Sequence, residues 1–220
     1  MGKMIKFNTH YYSDFSNLEF EKLFKMNLQK EVGTNVHYSQ QMDFILKNFI
    51  KMINNETYIS IDPATKQQKE NTITKGLFIA GKTGTGKTAF VKSLFQTCKE
   101  MKIYCKVDGE STAYFFTPLN VINAKTISNN YYTNGAKPTE VGILCIDDLQ
   151  RIESNYMGNK IDLFADILEE RYCINYTVTF ATSNFPMKDK YFGFGSRVES
   201  RMFEMFAYYE LNEKDYRKEM

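Results

Sequence analysis

No apolar run in these 220 residues approaches the roughly 18 needed to cross a bilayer, so a membrane-spanning helix is excluded. The opening stretch Met1-Gly2-Lys3-Met4-Ile5-Lys6 lacks the apolar core of a secretory signal. Lys6 also stands where a myristoylation pattern requires Ser or Thr. Cysteine is scarce. Cys98, Cys105, Cys145 and Cys173 are the four present, and no two have the C-x-x-C spacing of a zinc or redox pair. Cys105 and Cys145 fall inside apolar runs, where a thiol serves as a small filler, and the expected compartment is a reducing cytoplasm. The two histidines, His10 and His37, are isolated and read as surface residues. Arginine is rarer than lysine, five against 23, with none before Arg151. Each arginine is therefore a candidate for bidentate phosphate contact. A net charge of +2 provides no footprint for tight duplex-DNA binding, although a local basic stripe is still allowed. There is no internal repeat and no low-complexity tract. With 43% hydrophobic and 25% charged residues, the composition is that of an ordinary globular chain, long enough for one α/β domain and a small appendage.

Against these absences stands one dense motif. Gly81-Lys82-Thr83-Gly84-Thr85-Gly86-Lys87-Thr88 fits G-x-x-x-x-G-K-[ST], the phosphate-binding loop of nucleoside triphosphatases. Gly76–Ala80 before it reads as a buried strand, and the helix that runs on from Ala89 completes the unit. A strand, a glycine loop and a helix N-terminus gather unpaired backbone N–H groups into an anion site. Glycine lets the backbone approach phosphate with no Cβ in the way. In this reading residues 81–89 hold ATP or ADP, Lys87 reaches the β/γ-phosphates and the Thr88 hydroxyl is a ligand of Mg²⁺. The bland alternative is a glycine turn between a strand and a helix.

Hydrophobic spacing predicts helices over 15–31 and 39–54, the second with Met42, Ile45, Leu46, Phe49, Ile50 and Ile53 on one face. That face packs on the main domain or serves a partner. Residues 60–74 read as a polar connector. From Lys75 the chain alternates. Strands are expected at 76–80, 102–107, 142–146, 176–182 and 206–211, and helices at 87–101, 118–132 and 160–173. The last helix has Asn159 as N-cap and Asp162 in its first turn. The expected division is a helical N-terminal segment with its connector over 1–74, then a nucleotide-binding domain over 75–220. Its mainly parallel five-stranded sheet would be covered on both faces.

Val141–Asp148 is an apolar strand ending in two carboxylates, at the sheet edge where open α/β folds hold ligands. Asp147 would hold Mg²⁺ through water, and Asp148 would polarise the attacking water. An acidic turn is the plain alternative. Asn184, after the strand at 176–182, could contact the γ-phosphate or simply begin the turn into Pro186. Arg197 and Arg201 lie four apart on one helix face. They could reach a nucleotide, or form a solvated charged face with Glu199 and Glu204. Tyr131 and Tyr132 offer rings for base stacking or for packing.

These residues, in this order, resemble the ATPase domain of the DnaC/DnaI/IstB group, AAA+ proteins related to DnaA. The resemblance is carried by Ile146-Asp147-Asp148-Leu149, Glu170-Arg171-Tyr172, Ala181-Thr182-Ser183-Asn184, Gly195–Met202 and Asp215-Tyr216-Arg217, and covers about 75–217. It implies a P-loop NTPase (AAA+/ASCE) three-layer α/β sandwich with a short helical N-terminal segment. Gly81–Thr88 becomes Walker A, Asp147 and Asp148 Walker B, Asn184 sensor 1 and Arg201 an arginine finger, with Arg197 one turn before it and turned more toward its own core or its own nucleotide. The helical lid is expected to be absent or vestigial. The implied protein is a slow, Mg²⁺-dependent ATPase. It would work as a helicase loader that binds a replicative DNA helicase and single-stranded DNA and forms an ATP-dependent homo-oligomer. A transposition helper and an ATP-gated adaptor with negligible turnover stay open beside it. A nucleotide kinase does not fit, because no arginine lies between Lys106 and Val141 to build an acceptor lid.

Overall fold

Apolar strands without polar alternation need cover on both faces, and that need organises this chain. The computed structural model describes residues 9–12, 15–33, 38–107, 111–135, 137–138, 142–156, 159–173, 177–188 and 193–212. The chain opens with strand β1 (Thr9–Tyr12), helices α1 (Asn17–Val32) and α2 (Gln40–Ile53), and a hairpin of β2 (Tyr58–Ile61) and β3 (Gln68–Asn71). Then come β4 (Gly76–Ala80), α3 (Lys87–Glu100), β5 (Tyr104–Val107), β6 (Tyr114–Phe115), β7 (Val121–Asn123) and α4 (Ala124–Asn134). The last third holds β8 (Gly142–Asp147), a hairpin of β9 (Glu153–Tyr156) and β10 (Asn159–Asp162), α5 (Leu163–Cys173), β11 (Thr177–Ser183), α6 (Ser196–Met205) and β12 (Phe206–Glu210).

Five strands form one sheet in the order β12-β4-β11-β8-β7, and every neighbouring pair is parallel. Successive side chains of a strand point to opposite faces. Leu77, Ile79, Cys145, Phe180 and Tyr209 share one core with α1, α2 and α3. Phe78, Leu144, Ile146, Ala181 and Tyr208 share the other with α4, α5 and α6. The result is a three-layer P-loop NTPase sandwich with the AAA+/ASCE strand order, its glycine loop joining β4 to α3.

The two upstream helices start at serine caps. Ser16 and Glu19 form a reciprocal capping box at α1, and Ser39 accepts from the Met42 N–H at α2. The apolar stripe of α2 is wholly buried in the first core. From α1, Phe20, Phe24 and Leu28 enter the same core, where the Phe24 and Phe90 rings meet edge to face at 5.0 Å. The buried Asn27 Nδ2 donates to Thr97 Oγ1 of α3 at 3.1 Å, so the α1–α3 contact is polar as well as apolar.

Several elements differ from the sequence reading. The strand at 102–107 lies outside the main sheet, because β5 pairs antiparallel with β1 and β6. The fifth sheet strand is the three-residue β7, inside the stretch expected to be helical over 118–132. The polar connector holds the β2–β3 hairpin, closed by an Asp62 side chain that accepts from Ala64 and Thr65 N–H. Asn159 sits in β10, and the residue that caps α5 is Asp162, which accepts from the Ala165 N–H at 3.2 Å. His37 and Asp215-Tyr216-Arg217 lie outside the described residues, and His10 is half-buried in β1.

Because α1 and the sheet share one core, they should unfold together. Phe24→Ala removes a fully buried ring and should cost about 3–5 kcal/mol of the whole transition. Urea unfolding followed by far-UV circular dichroism checks this. A separate early transition for α1, with the main midpoint unmoved, would contradict it.

Candidate active site

Two backbone features shape the loop. The Gly81 N–H donates to Ser183 O at 3.0 Å, and a Cβ on Gly81 would stand 2.2 Å from Leu211 O, so no larger residue fits. Gly86 has φ +86, a left-handed conformation that favours glycine, and it starts α3. Thr85, fully buried, ties the loop to itself by donating from Oγ1 to Lys82 O at 2.9 Å. Lys82 and Thr83 are exposed, while Ala89 lies half-buried in the first turn of α3 and packs on the core.

Lys87 is 5% exposed, which requires its ammonium to be well solvated by protein. Nζ donates to Gly81 O at 2.8 Å, Lys82 O at 2.9 Å and Asn184 Oδ1 at 2.9 Å. The other end of that amide, Asn184 Nδ2, lies 3.4 Å from Asp148 Oδ1. Thr88 Oγ1 donates to Asp147 Oδ1 at 2.8 Å. The structure thus brings Lys87, Asn184 and Asp148 into one hydrogen-bonded chain and pairs Thr88 with Asp147, both at the C-terminal edge of the sheet. The hydroxyl and carboxylate of Thr88 and Asp147 are oxygen donors side by side, a pairing that suits a hard cation such as Mg²⁺.

Two further residues complete the site, and neither was a candidate site residue in the sequence. Thr182, fully buried, donates from Oγ1 to Asp147 Oδ1 at 2.7 Å and accepts there from the Asp148 N–H at 3.0 Å. Its carbonyl accepts from the Leu149 N–H at 2.7 Å. These bonds hold Asp148 at φ +55, a left-handed conformation that costs a side-chain-bearing residue about 1–2 kcal/mol. The second residue is Asn123, at the end of β7. Its Oδ1 caps α4 by accepting from the Lys125 N–H at 2.9 Å, and its Nδ2 lies 3.4 Å from Asp148 Oδ2. The two oxygens of Asp148 are therefore bracketed by two amides. The sequence signal was indirect: Thr182 lies inside the Ala181–Asn184 stretch without a role of its own, and Asn123 opens a helix.

The arginines of α6 lie apart from this set, against α5. Arg201, the expected arginine finger, has a side chain only 17% exposed. Its guanidinium lies over the Tyr172 ring at 5.0 Å, and Nη1 stands 3.1 Å from Glu169 Oε2. That contact is one of charge, since the buried Nη1 aims no hydrogen bond at the carboxylate. Arg197, expected nearer its own nucleotide, is the open one, 74% exposed with Nε 3.2 Å from Glu169 Oε1. The reason is packing. Arg201 adjoins the buried Met202 and borders α5, whereas Arg197 sits in the first turn with Glu169 beside it. Their partner is Glu169, not Glu199 or Glu204, and Glu204 instead accepts from the Tyr172 hydroxyl at 2.9 Å. Tyr131 is buried in the second core, leaving Tyr132, 46% exposed, as the one ring of that pair open to solvent. Arg171 is structural. It donates from Nε to Thr179 Oγ1 at 2.9 Å and from Nη2 to Gly142 O at 2.8 Å. Burial pushes its guanidinium down to about 10, which leaves it charged at neutral pH.

A cavity of about 250 Å³ opens beside the loop, with Phe44, Ile45, Ile61 and Tyr209 on its walls and Gln41 and Glu210 at its rim. The Asn212 N–H donates to Gln41 Oε1 at 2.8 Å, next to the Leu211 that abuts Gly81.

Among solved structures, the chain is similar to the following three. A crystal structure of DnaI has 16% identity, 89% of this chain and 92% of that one covered, and a TM-score of 0.48. A crystal structure of the DnaC helicase loader has 18% identity, coverage of 86% and 98%, and a TM-score of 0.49. AMPPCP-bound DnaA from Aquifex aeolicus has 17% identity, coverage of 82% of this chain and 50% of that one, and a TM-score of 0.45. No family model and no curated protein matches the sequence. At these identities and scores the likeness carries no functional weight, and the fold rests on the strand order and the loop described above.

Asn123→Ala should leave ATP affinity close to wild type and slow single-turnover hydrolysis about five-fold, the equivalent of one hydrogen bond near 1 kcal/mol. Asn123→Asp keeps the cap but sets a second carboxylate beside Asp148. A capping role alone predicts that Asn123→Asp recovers the rate, and a positioning role predicts a further loss.

Proposed function

We propose that this chain binds and hydrolyses ATP and acts in DNA replication as a helicase-loader-like factor, engaging a replicative DNA helicase and single-stranded DNA. The observation that carries the ATPase reading is the set formed by Lys87, Asn184 and Asp148 with Thr88 and Asp147, the two groups linked through the Thr182 hydroxyl. The loader reading adds the order and spacing of the motifs from Ile146 to Met202.

On this reading the phosphates lie across the loop N–H groups and the start of α3, and Lys87 turns from the Gly81 and Lys82 carbonyls to the β/γ-oxygens. Asn184 then stays between the γ-phosphate and Asp148. Asp148, bracketed by Asn123 and Asn184, orients the attacking water and accepts its proton. Thr88 and Asp147 would hold Mg²⁺, which neutralises phosphate charge when bound. The cavity walled by Phe44 and Tyr209 takes the base. Either α6 arginine would act on the nucleotide of a second copy. Because Arg201 lies against Tyr172 and Glu169, turnover by the isolated chain is expected to be slow.

Lys87→Ala should weaken ATP binding by about 2–5 kcal/mol, the range for losing one side of a desolvated charge contact. Asp148→Asn should keep ATP bound and cut hydrolysis by about 10²–10⁴, the usual share of a general base. Titration with a fluorescent ATP analogue and a single-turnover assay check the two. Unchanged affinity in Lys87→Ala would remove the phosphate-loop reading.

Binding of single-stranded DNA should be modest and should fall as salt rises, since a net charge of +2 gives little general pull. Anisotropy of a labelled oligothymidine at two salt concentrations, with ATP present, measures it. No binding at low salt would favour an ATP-gated adaptor for a protein partner.

A further inference from the structure

Helices α5 and α6 carry a ladder of side chains that nucleotide binding within one copy does not use. From α5 come Glu169 and Tyr172, one turn apart. From α6 come Arg197, Arg201 and Glu204. Glu169 meets both guanidinium groups, with Oε1 3.2 Å from Arg197 Nε and Oε2 3.1 Å from Arg201 Nη1. Glu204 is engaged with the Tyr172 hydroxyl at 2.9 Å, so in this ladder one carboxylate faces two cations.

We propose that Glu169 is a positioning residue that holds Arg201 in reserve: it anchors the guanidinium over Tyr172 in the single subunit and yields it to the phosphates of a nucleotide bound by a second copy. The proposal rests on the reading that an α6 arginine acts in trans. The geometry gives the direction. Arg201 is 17% exposed, and its Nη1 is buried beside Glu169 without a directed hydrogen bond. A contact held by charge and ring stacking alone is easily exchanged for bidentate bonds to phosphate oxygens. Arg197, 74% exposed, gives Glu169 a second cation to rest on once Arg201 has left, so the exchange strands no carboxylate. The pair is only partly buried, and without a directed hydrogen bond it is weak enough to open.

The test separates this proposal from the reading beneath it. Full-length wild-type protein, Glu169→Gln, Glu169→Asp and Arg201→Ala are compared by sedimentation velocity with a non-hydrolysable ATP analogue and Mg²⁺. ATPase rate per subunit is followed as protein concentration rises. Circular dichroism and thermal melting check each variant's fold. Glu169→Gln removes the competing charge and should lower the concentration at half-maximal assembly and activation about three-fold to five-fold. Glu169→Asp keeps the charge and should stay near wild type, which a purely structural glutamate would not explain. A Glu169→Gln midpoint unchanged or raised, with the fold intact, overturns the proposal. If Glu169→Gln does not fold, Tyr172→Leu serves in its place. It removes the stacked ring and should shift the midpoint the same way, and no shift overturns the proposal. If Arg201→Ala keeps the full concentration-dependent rise, the trans-acting reading fails, and the proposal with it.

Discussion

Thr182, next to last in β11, has no exposed surface, and its hydroxyl and carbonyl make three of the bonds that give the site its shape. The hydroxyl serves both carboxylate positions, donating to Asp147 and accepting from the Asp148 backbone. The carbonyl fixes Leu149, whose own carbonyl accepts from Ser183 Oγ at 2.8 Å. The turn after β8 is thereby sewn to the end of β11. On the other side the loop is sewn to the same strand, since Gly81 donates to Ser183 O. The two acidic residues and the phosphate loop thus keep their spacing because both are referenced to β11, which lies between β8 and β4 in the sheet. A register slip of β11 by one residue would turn Thr182 to the other face and undo the arrangement at once.

The parallel sheet was legible wherever a strand is buried on both faces. Gly76–Ala80 and Gly142–Asp147 are continuous apolar runs because both cores need them, and such runs stand out from their polar surroundings. The helices with strong stripes, α2 above all, were legible for the complementary reason. What escaped was structure held by pairing rather than by pattern. In β3, Gln68, Lys69 and Glu70 are exposed, so nothing apolar marks the strand, and backbone bonds to β2 alone define it. β7 is three residues long, too short for a period, and earns its place by pairing with β8 through Val121, Ile122 and Asn123. β5 looked like a sheet strand because Cys105 is buried and Ile103 just before it is too, yet the surface they meet belongs to β1 and the first core.

Within the site, Lys87, Thr88, Asp147, Asp148 and Asn184 were legible because phosphate and cation chemistry constrains both residue type and spacing. The roles of Thr182, inside the Ala181–Asn184 stretch, and of Asn123 were not, because a positioning hydroxyl or amide is defined only by what it touches. The α6 arginines show the same limit. Spacing put Arg197 and Arg201 on one face correctly, but it carries no signal for which of the two is the more open to solvent. Their exposure is decided by α5, about 30 residues upstream, where Tyr172 supplies a ring for Arg201 and Glu169 a shared carboxylate.

The residues before Lys75 bear on the loop directly. Met42 of α2 stands against Gly86, where an added Cβ would come within 3.0 Å of its Cε. Gln41 accepts from the Asn212 N–H, and the neighbouring Leu211 donates to Ala80 O at 2.7 Å just before the loop begins. From the hairpin, Lys66 is bonded to Glu210, which also accepts from the Tyr208 hydroxyl at 2.6 Å, and the Tyr209 hydroxyl donates to Ile59 O at 2.8 Å. Glu210 gains these donors against the cost of its partial burial, and its carboxyl is held below the usual range. The start of α2, the hairpin and the end of β12 thus brace one side of the glycine loop and wall the cavity next to it.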